Sequence, residues 1–106
     1  MADFFKLGDQ LFQAQEIPYL FVFDLAERVD DDILSKVDAI YSDYYETLIV
    51  FAKENSNYLR TSQKLHIHRN TLSYRLNRIK EETGLDPCLW YQLTRLLYYF
   101  SLSYLK

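Results

Sequence analysis

Turn-forming residues are scarce, for the 106-residue chain holds two Gly and two Pro. A β-sandwich or barrel needs a turn roughly every 8–12 residues, which so few punctuators do not supply. Cysteine is scarcer still. The single Cys88 makes no internal disulfide, and with two His it completes no structural zinc set of familiar type. No basic segment leading into an apolar core opens the sequence, so no secretory signal is expected. The longest apolar runs, Ile17 to Phe23 and Leu96 to Phe100, fall far short of the roughly 20 residues of a membrane span. A reducing, cytoplasmic compartment is the expectation. What remains is 49% hydrophobic and 25% charged, the balance of a globular chain rather than a disordered one. At this length a single, mostly helical domain burying roughly two-thirds of its unfolded surface is expected.

Acidic charge is absent from one stretch, and that absence matters more than the formal net charge of −3. Residues 1–57 carry 12 acidic and 4 basic side chains, whereas residues 58–106 carry 3 acidic and 8 basic. Between Arg60 and Lys80 stand Arg60, Lys64, Arg69, Arg75, Arg78 and Lys80, with no acid among them. A charge run is commonly a solvated helix face, but a local cationic field can also hold a polyanion although the whole chain is acidic.

Periodicity gives the elements. Phe4 to Glu16 shows apolar residues at helical spacing (Phe4, Leu7, Leu11, Phe12), weakened by Gly8 and ended by Pro18. Tyr19 to Leu25 fits a buried strand or a buried helix; with no partner strand in view it reads as helix. Asp30, Asp31 and Asp32 offer a cap and first-turn acids to a helix with Ile33, Leu34, Val37 and Ile40 on one face. From Asp43 the stripe Tyr44, Leu48, Phe51, Ala52 marks a helix that stops at Asn55-Ser56-Asn57. Asn57 then caps a short helix over 58–65, and His66-Ile67-His68 breaks the register. A further helix over 69–83 has Leu72, Leu76 and Ile79 as its core stripe and Gly84 as its C-terminal cap. The last, from Leu89 to about Leu105, is apolar nearly all round, with the stripe Trp90, Leu93, Leu97, Phe100, Tyr104 closing this core or forming a dimer seam. A composition break divides an acidic helical segment, 1–42, suited to a linker or a dimer contact, from residues 43–106.

Two short helices joined by a three-to-four-residue break, the second with a cationic polar face, make a helix-turn-helix. The first helix braces across the phosphates while the second enters the major groove, whose width of roughly 12 Å accepts an α-helix. The first turns of that second helix read His68-Arg69-Asn70-Thr71-Leu72-Ser73-Tyr74-Arg75. Arg69 has the two-pronged group that grips guanine, and Asn70 the amide that pairs with adenine. Thr71 and Ser73 are short donors for phosphates or base edges, at a helix N-terminus that itself favours phosphate. His68 reads as a contact near a phosphate or base, or as packing of the turn. Tyr74 reaches the backbone or wedges between helices. Arg78 points away from the core stripe, while Arg75 lies nearer to it and could pair with an acid. Arg60 and Lys64, on the bracing helix, are candidates for phosphate contacts. His66 and His68 have no carboxylate or thiol nearby in sequence, so no metal site is expected, and no cofactor.

The run Thr61-Ser62-Gln63-Lys64-Leu65-His66-Ile67-His68-Arg69-Asn70-Thr71-Leu72-Ser73-Tyr74-Arg75-Leu76-Asn77-Arg78-Ile79, followed by Glu82-Thr83-Gly84-Leu85-Asp86, resembles the C-terminal helix-turn-helix of the PucR/CdaR transcription regulators. Those are regulators of purine catabolism and sugar-diacid utilisation, and the unbroken Ile-His-Arg-Asn-Thr-Leu-x-Tyr-Arg-Leu core is their specific signature. Glu46-Thr47-Leu48 is similar to the helix that precedes the motif in that family. The strong match covers about Asp38 to Tyr99. Ser62 departs from the usual alanine, and residues 1–37 match loosely. The resemblance implies an all-α fold with a Fis-like three-helix core, flanking N-terminal helices and an apolar C-terminal helix. It implies double-stranded DNA as partner, and because two-fold operators favour dimers a homodimer is the expectation. Such regulators carry a sensory region upstream, so the sequence fits either a fragment that binds DNA without sensing or a short stand-alone member.

Two rival classes remain. A protein-interaction or dimerisation domain with a degenerate motif would work through the acidic half and the aromatic C-terminal helix, since that acidic half would repel DNA if it lay beside the basic helix. An enzyme is not expected, as no nucleophile–base pair, metal set or phosphate-cradling glycine loop stands in the sequence.

Overall fold

The computed structural model describes residues 4–7, 10–13 and 29–105. From residue 29 onward the chain consists of four helices and their connections: α1 (Asp31–Lys53), α2 (Tyr58–Leu65), α3 (Arg69–Thr83) and α4 (Trp90–Tyr104). This is the all-α helix-turn-helix architecture that the periodicity predicts.

The N-terminal segment differs. Phe4–Leu7 (β1) and Gln10–Gln13 (β2) form an antiparallel hairpin in which Phe4 faces Gln13 and Leu7 faces Gln10. The helical spacing of Phe4, Leu7, Leu11 and Phe12 is therefore overridden. The register leaves Gly8 and Asp9 as the connection, and Gly-Asp is a dipeptide that two-residue hairpins favour. The expected helix over Tyr19 to Leu25 lies outside the described residues.

The two helices expected on either side of residue 42 are one. Helix α1 runs 23 residues, about 34 Å at 1.5 Å per residue. Ser42 and Asp43 sit on its exposed side, so they interrupt the composition but not the helix. Asp30 caps it, its Oδ1 accepting from the backbone N–H of Asp32 at 2.8 Å, and Asp31 and Asp32 place negative charge in the first turn. Val37, Ile40, Thr47, Leu48 and Phe51 are its buried positions.

Helix α1 forms the spine against which α3 and α4 pack. The core joins its buried side chains to Leu72, Leu76 and Ile79 of α3 and to Leu93, Leu96, Tyr99 and Phe100 of α4. Each fully buried aliphatic side chain contributes about 1.5–3 kcal/mol from removal of its surface from water. The backbone N–H of Asp30 donates to the Tyr99 hydroxyl at 2.8 Å, fixing the start of α1 to α4. On α4 the buried face turns toward Leu96 and Tyr99, away from part of the expected stripe: Trp90 is 70% exposed and Tyr104 73%. The helix is thus apolar in composition but buried along one side only.

Candidate nucleic-acid interface

The joint between α2 and α3 is three residues long and is specified almost atom by atom. Asn57 caps α2, its Oδ1 accepting from the Arg60 N–H at 2.9 Å. Inside α2, Thr61 and Ser62 are buried and turn their hydroxyls back onto the helix, Thr61 to the Asn57 carbonyl at 2.6 Å and Ser62 to the Leu59 carbonyl at 2.9 Å. The small serine side chain thereby occupies a tight position without an unsatisfied hydroxyl. The helix ends with His66 in the left-handed region (φ 56), while the Ile67 N–H donates to the Ser62 carbonyl at 3.0 Å and the His66 N–H to that of Gln63 at 3.2 Å. That is a Schellman-type termination, with histidine where glycine is the least strained residue.

His68 then begins α3. Its Nδ1 accepts from the Asn70 backbone N–H at 3.0 Å, so the imidazole acts as the helix cap. An accepting Nδ1 leaves the proton of the neutral ring on Nε2. The far end of α3 closes on Gly84 (φ 77), whose N–H donates to the Lys80 carbonyl at 2.8 Å. A Cβ there would meet nothing within 4 Å, so the requirement for glycine is one of backbone conformation.

With Leu72, Leu76 and Ile79 buried, the opposite side of α3 faces outward. Arg69, Asn70, Thr71, Ser73 and Tyr74 are all exposed, Tyr74 to 63%. The two later arginines are differently placed. Arg75 is half-buried and donates from Nη1 to the hydroxyl of buried Thr47 on α1, at 3.2 Å. Its partner is a hydroxyl rather than the acid that the sequence allows for. Arg78 is held by Glu82 one turn on, with Glu81 at 3.9 Å, and the Glu82 carboxylate strengthens its hold on the proton. Asn77 donates to Glu81 at 2.9 Å. Arg60 and Lys64 are exposed on α2, around a cleft of about 510 Å³ that Glu54, Gln63 and His66 also line.

Sequence reasoning missed three of these features. Thr47 had a signal, since it stands seven residues after Ile40 on the core face of α1, and a hydroxyl there needs a partner. The Arg78–Glu82 pair was available as an i, i+4 spacing. The cap made by the His68 ring had none, because histidine is not a customary cap residue.

Behind the joint, the Tyr58 hydroxyl lies 3.1 Å from the Cys88 sulfur. Burial, reinforced by that hydrogen bond, pushes the Tyr58 phenol up to about 12. Among the described residues no three His, Cys, Asp or Glu side chains converge as a metal site would require. No helix among them is long and apolar enough to cross a membrane.

Residues 44–97 match the family model of the PucR C-terminal helix-turn-helix domain. The carbohydrate diacid regulator of Escherichia coli (strain K12) is 60% identical over 40 residues, covering 38% of this chain and 10% of the regulator. The transcriptional activator PmfR of Paenarthrobacter nicotinovorans is 54% identical over 41 residues, 39% of this chain and 9% of the activator. The uncharacterized protein YxkF of Bacillus subtilis (strain 168) is 31% identical over 72 residues, 65% of this chain and 24% of that protein. The chain thus spans about a quarter or less of these relatives' lengths. No solved structure matches.

Proposed function

Because this chain belongs to the PucR C-terminal helix-turn-helix family, a DNA-binding module of transcription regulators, we propose that α3 is its reading helix and enters the major groove with its first two turns. The observation that carries this reading is the set Arg69, Asn70, Thr71, Ser73 and Tyr74, all exposed at the start of a helix whose other side is anchored in the core. Arg69 and Asn70 take the base edges, each able to make a two-pronged contact. His68, Thr71, Ser73 and Tyr74 serve phosphates or flanking bases, with Arg60 and Lys64 bracing the backbone from α2. Arg75 holds α3 against α1 through Thr47, while Arg78 is paired with Glu82 one turn on within α3 itself. The activity is binding without catalysis, in the cytoplasm.

A homodimer belongs to the same reading, since two copies match a two-fold operator. An uncharged cleft of about 250 Å³ between α1 and α4, walled by Tyr41, Tyr45, Ile49, Phe100 and Tyr104 among others, supports it.

Selection from a random duplex pool tests the proposal. The wild-type chain should enrich a common sequence. The double variant Arg69→Ala/Asn70→Ala, folded as judged by circular dichroism, should enrich none. Recovery of the same sequence by both proteins would remove these residues from the reading face.

A further inference from the structure

The described cations fall into two sets. Lys36 pairs with Asp32, Arg78 with Glu82 and Lys80 with Asp86, while Arg75 and Arg95 donate to the hydroxyls of Thr47 and Tyr99. Lys53, Arg60, Lys64 and Arg69 have no such partner among the described residues. This second set is confined to the end of α1, the outer side of α2 and the first residue of α3.

Three of its four members surround one residue. Arg60 and Lys64 line a cleft of about 510 Å³ with His66, and Lys53 and Lys64 line an adjoining cleft of about 500 Å³ with the same His66. Glu46 and Glu54 border these clefts too, so the three cations outnumber the carboxylates. His66 itself is exposed, and its backbone is left-handed (φ 56), a conformation that favours glycine. The chain therefore presents an imidazole from a strained position, among three cations that make no ion pair among the described residues and outnumber the two bordering carboxylates. Arg69 follows three residues later, a separation that the backbone limits to about 11 Å.

We propose that Lys53 and His66, with Lys64 between them, carry the DNA contact off the two-helix motif and onto the phosphate backbone beside it. The proposal rests on the DNA-binding reading above and adds to it the C-terminal end of α1, which lies outside the helix-turn-helix, and the turn residue. Lys53 and Lys64 supply charge, and the imidazole supplies a hydrogen bond to a phosphate oxygen. These contacts recognise backbone and not sequence.

The test is the dependence of binding to a mixed-sequence duplex on salt, measured for the wild type, Lys53→Gln, Lys36→Gln and His66→Gly. Lys36 is the control. It lies on the same helix, removes the same charge and is already paired with Asp32. Lys53→Gln should make the slope of log K against log salt shallower by about one, and Lys36→Gln should leave it at the wild-type value. Glycine accepts the backbone of His66 without strain, so His66→Gly keeps the fold and should weaken binding by about ten-fold. A wild-type slope in Lys53→Gln together with wild-type affinity in His66→Gly overturns this inference alone. Absence of wild-type binding at any salt concentration overturns it together with the DNA-binding reading.

Discussion

Arg75 donates from Nη1 to the hydroxyl of Thr47, 3.2 Å away, and so pins the middle of α3 to the middle of α1. Thr47 is buried and Arg75 half-buried, so the bond spans the boundary between core and surface. It lies about 100° around α3 from the exposed Tyr74, at the edge of the core stripe, and fixes the rotation of that helix about its axis. The Thr47–Arg75 pair is in this sense an orienting contact for the exposed residues of α3.

Removing the hydroxyl should therefore cost stability without touching the outer face. Thr47→Val is expected to lose about 1–2 kcal/mol, because the guanidinium keeps its position but loses its acceptor. Thermal melts of Thr47→Val, Arg75→Ala and the double variant check this through their coupling energy, expected at about 0.5 kcal/mol or more. Strict additivity of the two substitutions would show that the bond orients nothing.

The left-handed turn makes a second prediction about stability. His66→Gly should melt at the wild-type temperature or above it, with a gain of up to about 1 kcal/mol, because strain relief outweighs or matches glycine's extra freedom in the unfolded chain. His66→Val should lose about 1–2 kcal/mol, since a β-branched side chain at positive φ is disfavoured most. A glycine variant clearly less stable than wild type would mean that the imidazole itself stabilises the turn.

Tyr58 predicts behaviour at alkaline pH. Its phenol is pushed up to about 12 by burial and by the bond to Cys88, so folding favours the protonated form. In the unfolded chain the group ionises near its ordinary value of about 10. The stability it contributes is complete below pH 10 and is lost as pH rises toward 12, because the unfolded chain releases the proton first. Melting temperatures from pH 9 to 12 should accordingly fall less steeply for Tyr58→Phe than for wild type. Parallel profiles would remove Tyr58 from the alkaline transition.

Much of the helical domain was legible in the sequence, for reasons that these residues make plain. Asn57 and Gly84 mark helix ends through local chemistry, and Leu72, Leu76 and Ile79 mark a face through spacing. Both kinds of signal act within a few residues. Polar Ser42 and Asp43 break the composition but lie on the solvent side of α1, where a helix accepts them, so one helix continues through both. In the N-terminal segment Phe4, Leu7 and Leu11 satisfy a helical period, yet Phe4–Leu7 pairs with Gln10–Gln13 as antiparallel strands. In the candidate site, composition pointed to the exposed donors Arg69 and Asn70. Spacing set Arg75 apart, nearer the core stripe, but not its partner Thr47, which stands 28 positions away and becomes a neighbour only when α1 and α3 pack.

The central claim is that this acidic chain meets DNA through the first turns of α3. Fluorescence anisotropy of a labelled mixed-sequence duplex, titrated with the wild-type protein over a range of salt, tests it most directly. The account predicts a dissociation constant of roughly 10⁻⁴–10⁻⁶ M near physiological salt that tightens steeply as salt is lowered, with a shallower slope for Arg69→Ala. No binding at the lowest salt, from a chain shown to be folded, would contradict it and leave a protein-interaction domain on a helix-turn-helix frame.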